Sequence, residues 1–76
     1  MITARLYGLL RIQWGIREVR MEAETVRDVL RCLESQGISP KELSGCVFFV
    51  NGHSAHKKTK LKDGDTVAIL SPVAGG

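Results

Sequence analysis

The sequence predicts a small α+β domain: a mixed sheet of four to five strands with one main helix packed on one face. Three observations lead there. Two stretches near the start alternate apolar and polar residues with period two. A middle stretch switches to a helical period, and later apolar runs bounded by turn residues return to strand character. At 76 residues the chain has room for one domain, 1–76, and for little enclosed volume beyond its core.

Ile2, Ala4 and Leu6 alternate with Thr3, Arg5 and Tyr7, the pattern of a half-buried strand. Val19, Met21 and Ala23 alternate in the same way with Glu18, Arg20 and Glu22. Gly8 and Gly15 lie between the two runs, so the spacing predicts a hairpin turning near Gln13-Trp14-Gly15. Val26, Val29, Leu30 and Leu33 then fall on one stripe of a helix. Thr25 is placed to cap it, with Asp28 completing an acidic form of the capping box. Gly37 suits a left-handed residue after the last turn, with Ile38 packing back, and Ser39-Pro40-Lys41-Glu42-Leu43 suits a further short turn.

Cys46-Val47-Phe48-Phe49-Val50 is a continuous apolar run, as an interior strand requires, and Asn51-Gly52 is the strongest local signal for a tight hairpin. A short return strand near His53-Ser54-Ala55, a polar loop from Lys57 to Lys62, and an Asp63-Gly64-Asp65 turn lead to the last strand, Thr66 to Leu70. One amphipathic helix covers only one sheet face. The first and last strands are separated by that helix, so they can pair in parallel at the centre. The order β-β-α-β-β-β is the β-grasp, or ubiquitin-like, arrangement, and it delivers the last strand to a sheet end.

Composition excludes several classes. The apolar and charged fractions, 43% and 25%, are those of a folded protein. No apolar run approaches a membrane span and the first residues lack a secretory pattern, so the expectation is a soluble cytoplasmic domain without a membrane partner. A net charge of +3, with no aromatic residue inside the basic cluster, does not make a nucleic-acid binder. Cys32 and Cys46 have no metal or redox spacing and read as reduced thiols.

The residues after the last strand carry the strongest chemical signal. Pro72 interrupts pairing, and Val73-Ala74-Gly75-Gly76 follows as a tail, read as flexible over 71–76. Two glycines at a fixed place arise by chance in roughly one chain in 200. Without a Cβ on either residue, the α-carboxylate can thread a narrow active site. Extended at about 3.3 Å per residue, the segment from Ser71 through Gly76 reaches about 20 Å, enough to enter a neighbouring protein's pocket.

The segment Leu61 to Gly76, with its L-x-D-G-D-x-V turn and strand, Pro72-Val73 pair and terminal glycines, resembles the small subunit of molybdopterin synthase. Phe48-Phe49-Val50-Asn51-Gly52 is similar to that family's central strand and hairpin. Arg11-Ile12 stands where the family often has Arg-Glu, and Ile69-Leu70 where it often has aromatic residues. The resemblance implies a sulfur carrier, not an enzyme, acting as a non-catalytic subunit with no bound cofactor or metal. A ubiquitin-activating-like adenylyltransferase using ATP would activate Gly76, and a sulfur-donating protein would convert it to a thiocarboxylate. The sulfur would pass to a cyclic pterin phosphate in the large subunit of the synthase, for molybdenum cofactor synthesis.

On this reading Gly76 bears the sulfur, Gly75 gives clearance and Pro72-Val73 stiffens the exit. Ala74, Leu70, Lys60 and Lys62 are the further partner contacts. A carrier for thiamine thiazole synthesis shares the fold and the glycines, although Pro72-Val73 and the full-length first hairpin favour the synthase subunit. A ubiquitin-like modifier forming isopeptide bonds to lysines is the third reading.

Other residues weigh less. Lys57, Lys58, Lys60 and Lys62 read as a solvated loop or as a steering patch for an acidic partner. His53 and His56 lack neighbouring ligands and read as surface residues. Trp14 reads as a cover for the hairpin end or as an exposed partner anchor.

Overall fold

The computed structural model describes residues 1–15 and 17–71. Along the chain come β1 (Ile2–Tyr7), α1 (Leu9–Trp14), β2 (Glu18–Met21), α2 (Val26–Ser35), α3 (Pro40–Ser44), β3 (Val47–Val50), β4 (His53–Ala55) and β5 (Thr66–Leu70). The strands form one five-stranded sheet in the order β2-β1-β5-β3-β4. β1 and β5 pair in parallel at its centre, as the sequence predicts, from Thr3 opposite Thr66 to Tyr7 opposite Leu70. β2 flanks β1 and β3 flanks β5, both antiparallel, and β4 is the second edge.

The period-two alternation decides which side of the sheet is dry. Ile2, Ala4 and Leu6 of β1 and Val67 and Ile69 of β5 are buried, and the same side gains Met21 and Phe48. The apolar stripe of α2 (Val26, Val29, Leu30 and Leu33) closes over them, with Ile38 and Leu43 completing the core. Val50 packs against this core and is half-buried. Among the described residues no helix packs on the opposite face of the sheet, so Arg5, Tyr7, Phe49, Ala68 and Leu70 project from the uncovered side.

Both ends of α2 follow from local chemistry. The Thr25 hydroxyl accepts from the Asp28 amide and the Asp28 carboxylate accepts from the Thr25 amide, the reciprocal box expected from the sequence. The amides of Val26 and Arg27 donate to the carbonyls of Thr59 and Lys57 at 3.1 and 3.0 Å. The basic loop thus satisfies helix donors that would otherwise lack partners. At the other end Gly37, at φ 105°, donates to Glu34 and Ile38 donates to Leu33, the paired bonds of a Schellman ending.

The first connection differs from expectation. The chain does not turn as a simple hairpin at Gln13-Trp14-Gly15; Leu9–Trp14 forms α1, closed by left-handed Gly15, whose amide donates to the Arg11 carbonyl. A six-residue helix is unstable alone. It is held by Trp14, whose indole N–H donates to Glu42 at 3.2 Å and whose ring faces Gly37. Trp14 therefore braces α1 against α3, packing partly into the core, rather than standing clear as a partner anchor.

A second brace joins the β3–β4 turn to the start of β5. Asn51, at φ 51°, exchanges bonds with Thr66 through its own amide and its side-chain carbonyl, at 2.9 and 3.0 Å. Its side-chain amide donates to Asp65 at 2.8 Å, and the Lys62 amide donates to the other Asp65 oxygen at 2.7 Å. These bonds, the Lys62 amide first and then Asn51, hold the Asp65 carboxyl below its ordinary value of 3.8.

Two tests follow from this architecture. Leu33→Ala should lower unfolding free energy by about 2–5 kcal/mol, and Thr25→Ala by about 1 kcal/mol, in urea titrations. The contribution of Asp65 is complete above the unfolded carboxyl value and is lost as pH falls through the lower folded one. Urea midpoints should therefore fall on acidification below about pH 4, and Asp65→Asn should make that fall shallower.

Candidate functional site

β5 runs through the sheet centre and ends at Leu70, with Ser71 following beside the end of β1. Register sets Tyr7, Leu70 and Val47 side by side across three strands on the uncovered face, and all three are exposed: 37%, 36% and 52%. The row behind them is Arg5, Ala68 and Phe49. Arg5, Tyr7, Phe49, Ala68 and Leu70, together with Thr66 and the Asn51-Gly52 turn, line an open concavity of about 410 Å³. Large apolar side chains at the centre of a face, with one arginine and no acid among the lining residues, suit contact with another protein more than a small polar ligand.

Charge is concentrated at the same end. Arg5, Leu6, Tyr7, Arg11 and Arg17 line a second, smaller depression of about 50 Å³. Glu18 lies 4.0 Å from both Arg5 and Arg20. Arg5, Arg11 and Arg17 against Glu18 leave this corner two positive charges in excess, most of the net charge of +3.

Ser71 sits in a notch at the exit. Its hydroxyl donates to the Tyr7 carbonyl at 3.2 Å. Gly8 faces it, at φ 71° and ψ −141°; a Cβ there would lie 2.7 Å from the Ser71 hydroxyl and 3.1 Å from its carbonyl oxygen.

The sequence-derived site residues divide in three. Leu70 is at the exit and belongs to the exposed apolar row. Lys60 and Lys62 lie before β5, at the end of the sheet remote from Leu70; Lys60 bridges Thr25 beside the start of α2. The structure therefore does not bring them together with the exit. Pro72, Val73, Ala74, Gly75 and Gly76 lie outside the described residues. The arginine corner and the Gly8 notch were not read from the sequence. Arg5, Arg11 and Arg17 are dispersed along it, and only the β1–α1–β2 geometry gathers them.

Among the described residues no group of three or more His, Cys, Asp or Glu could hold a metal ion, and no helix is long and apolar enough to cross a membrane. His53 is exposed on edge strand β4, and the His56 Nδ1 accepts from the Lys58 amide at 3.2 Å. Cys46 precedes β3, half-buried, its thiol donating to the Glu42 carbonyl at 3.3 Å. Burial, and then the charge of Glu42, push that thiol above its ordinary range. Such a thiol is a poor nucleophile.

This arrangement, a β-grasp sheet whose central last strand feeds an exit beside an exposed apolar and basic face, defines a ubiquitin-like protein. The chain belongs to the ThiS family, whose model matches residues 5–76, a group of ubiquitin-like sulfur carriers. No curated protein matches the sequence at a significant level.

Among solved structures, the chain is similar to one in the complex of subunits 1 and 2 of molybdopterin-converting factor from Helicobacter pylori 26695. Identity there is 25%, with 99% of this chain and 97% of that one covered at a TM-score of 0.74. It is also similar to small archaeal modifier protein 1 from Methanosarcina acetivorans, at 26% identity, 99% and 95% coverage and a TM-score of 0.79. A third is the BexX/CysO complex of Amycolatopsis orientalis, at 27% identity, full coverage of both chains and a TM-score of 0.75. The family and the Helicobacter complex agree with the resemblance drawn from the Leu61 to Gly76 segment.

The charge placement makes a specific expectation. Reversing Arg11 and Arg17 to Glu should weaken association with a protein partner and flatten its salt dependence. Lys60→Glu with Lys62→Glu should leave both nearly unchanged, as titrations between low and high salt would show.

Proposed function

We propose that this protein is a sulfur carrier serving molybdopterin synthesis as the small subunit of the synthase, with Gly76 as the sulfur-bearing residue. The supporting observation is the exit geometry: the central strand of a ThiS-family sheet opens beside an apolar, basic face fit for protein partners. The protein supplies the carrier and the docking face, and its partners supply catalysis, ATP binding and the sulfur donor. Its place of action on this reading is the cytoplasm.

A carboxylate is a poor electrophile, so activation comes first. A Gly76 carboxylate oxygen attacks the α-phosphorus of ATP in an adenylating partner and displaces pyrophosphate, forming an acyl adenylate. Hydrosulfide then attacks the acyl carbon and expels AMP, leaving the thiocarboxylate and a proton. With a persulfide donor, the acyl disulfide first formed is cleaved by a second thiol, which leaves as a disulfide with the donor. The thiocarboxylate sulfur is nucleophilic and attacks a carbon of the cyclic pterin phosphate held by the large subunit, the C–O bond at that carbon breaking with its electron pair left on oxygen. Hydrolysis of the resulting thioester-like linkage returns the carboxylate. Gly75 gives clearance at each active site, and Pro72, Val73 and Ala74 pass through the partner's channel.

A protein-modifier reading draws on one observation, the likeness to small archaeal modifier protein 1. The two share activation and diverge at the acceptor, a pterin in one case and a lysine amine in the other.

Incubation with a cognate adenylating enzyme, ATP and sulfide should raise the intact mass by the exchange of one oxygen for one sulfur. Removing Gly76 should abolish the change. An unchanged mass, under conditions that activate a control carrier, would sink the carrier reading, whereas Gly-Gly remnants on lysines of cellular proteins would favour the modifier. Leu70→Asp, which puts a charge in the centre of the apolar row, should weaken partner binding by about 2 kcal/mol or more in calorimetric titration.

A further inference from the structure

Gly8 lies between β1 and α1 as the N-cap residue of the helix, with one side left open by its missing side chain. That side faces Ser71, the last described residue before the tail. Two independent constraints fall on it. Its φ of 71° with ψ of −141° lies in a region open essentially to glycine alone. The space where a side chain would begin is already filled by Ser71, at 2.7 Å from the hydroxyl and 3.1 Å from the carbonyl oxygen. The hydroxyl could rotate away from a methyl group, but a backbone carbonyl cannot move without redirecting the chain that follows it. On the far side the Ser71 hydroxyl is tied to the Tyr7 carbonyl at 3.2 Å. Ser71 is therefore clasped between the last residue of β1 and the first of the next element.

We propose that Gly8 is a positioning residue for the reaction of the tail: its missing side chain is the seat of Ser71, and that seat aims the following residues. This rests on the sulfur-carrier reading above. Ser71 is the root of the five residues that follow, so moving its carbonyl changes the direction in which the chain leaves the sheet. The docking face of Tyr7, Leu70 and Val47 is held by the sheet register and does not depend on the seat. Misdirection should therefore slow the chemical step while leaving docking intact.

The test is steady-state adenylation of the full chain by its cognate activating enzyme, followed as ATP-dependent pyrophosphate release, with carrier concentration varied. Gly8→Ala should lower kcat by about 10- to 100-fold, the range that misplacing a reactive group by an ångström can cost, with KM within about twofold. Ser71→Val fills the seat from the other side and leaves the Gly8 backbone untouched, so it carries the test if Gly8→Ala fails to fold. It should show the same split. The Gly8→Ala, Ser71→Ala double variant should not recover, because the carbonyl contact and the backbone conformation remain. Variants processed at the wild-type kcat would overturn the inference alone, as would a loss confined to KM, which would make the pair docking residues. A wild-type chain that is never adenylated would overturn the carrier reading and this inference with it.

Discussion

Parallel pairing between the first and last strands is the constraint on which the rest depends. A parallel pair needs a long crossover, and here the crossover supplies α2, which covers one side of the sheet and leaves the other open. The pairing buries β5 between two neighbours, so its end is fixed by hydrogen bonds on both sides rather than left as a frayed edge. A carrier terminus of the kind proposed above would benefit from such a root. The chain is hydrogen-bonded into the sheet up to Leu70, and Ser71 is still held by the end of β1.

The same pairing explains why one face of the sheet stays uncovered. With a single principal helix, 76 residues cannot dress both sides of five strands. The register then leaves Tyr7, Leu70 and Val47 in line at the exit. The arginine corner adds range to this short-range surface. Its field extends over about a Debye length, roughly 8 Å at physiological salt, so on the proposed reading it would guide a partner's approach before the apolar row made contact. The remote lysines serve another purpose: the backbone of their loop terminates α2, with carbonyls at Lys57 and Thr59 taking two of its first amides.

Much of this was legible in the residues because local and tertiary requirements coincide there. Thr25 and Asp28 start α2, Gly37 and Ile38 stop it, and Asn51-Gly52 turns β3 into β4, each by a bond pattern with a recognisable residue preference. The parallel centre follows from element order alone. α1 was not legible: its six residues have no capping side chain at Gly8, and what fixes it is Trp14 reaching Glu42, 28 positions away. At the site, the exit and Leu70 could be read from chain order, but the gathering of Arg5, Arg11 and Arg17, and the close approach of Gly8 to Ser71, are made by folding. The tail itself lies outside the described residues, so its role rests on its composition and on the family.

Because β1 and β5 run the same way, Met1 lies beside the turn before β5, its carbonyl accepting from Gly64 at 2.9 Å and its amine meeting Asp63. Five strand residues, roughly 17 Å, separate that end of the sheet from Ser71. A fluorophore, affinity handle or solid support attached through the first residue would therefore sit at the opposite end of β5 from Ser71, leaving the contact of Ser71 with Tyr7 untouched.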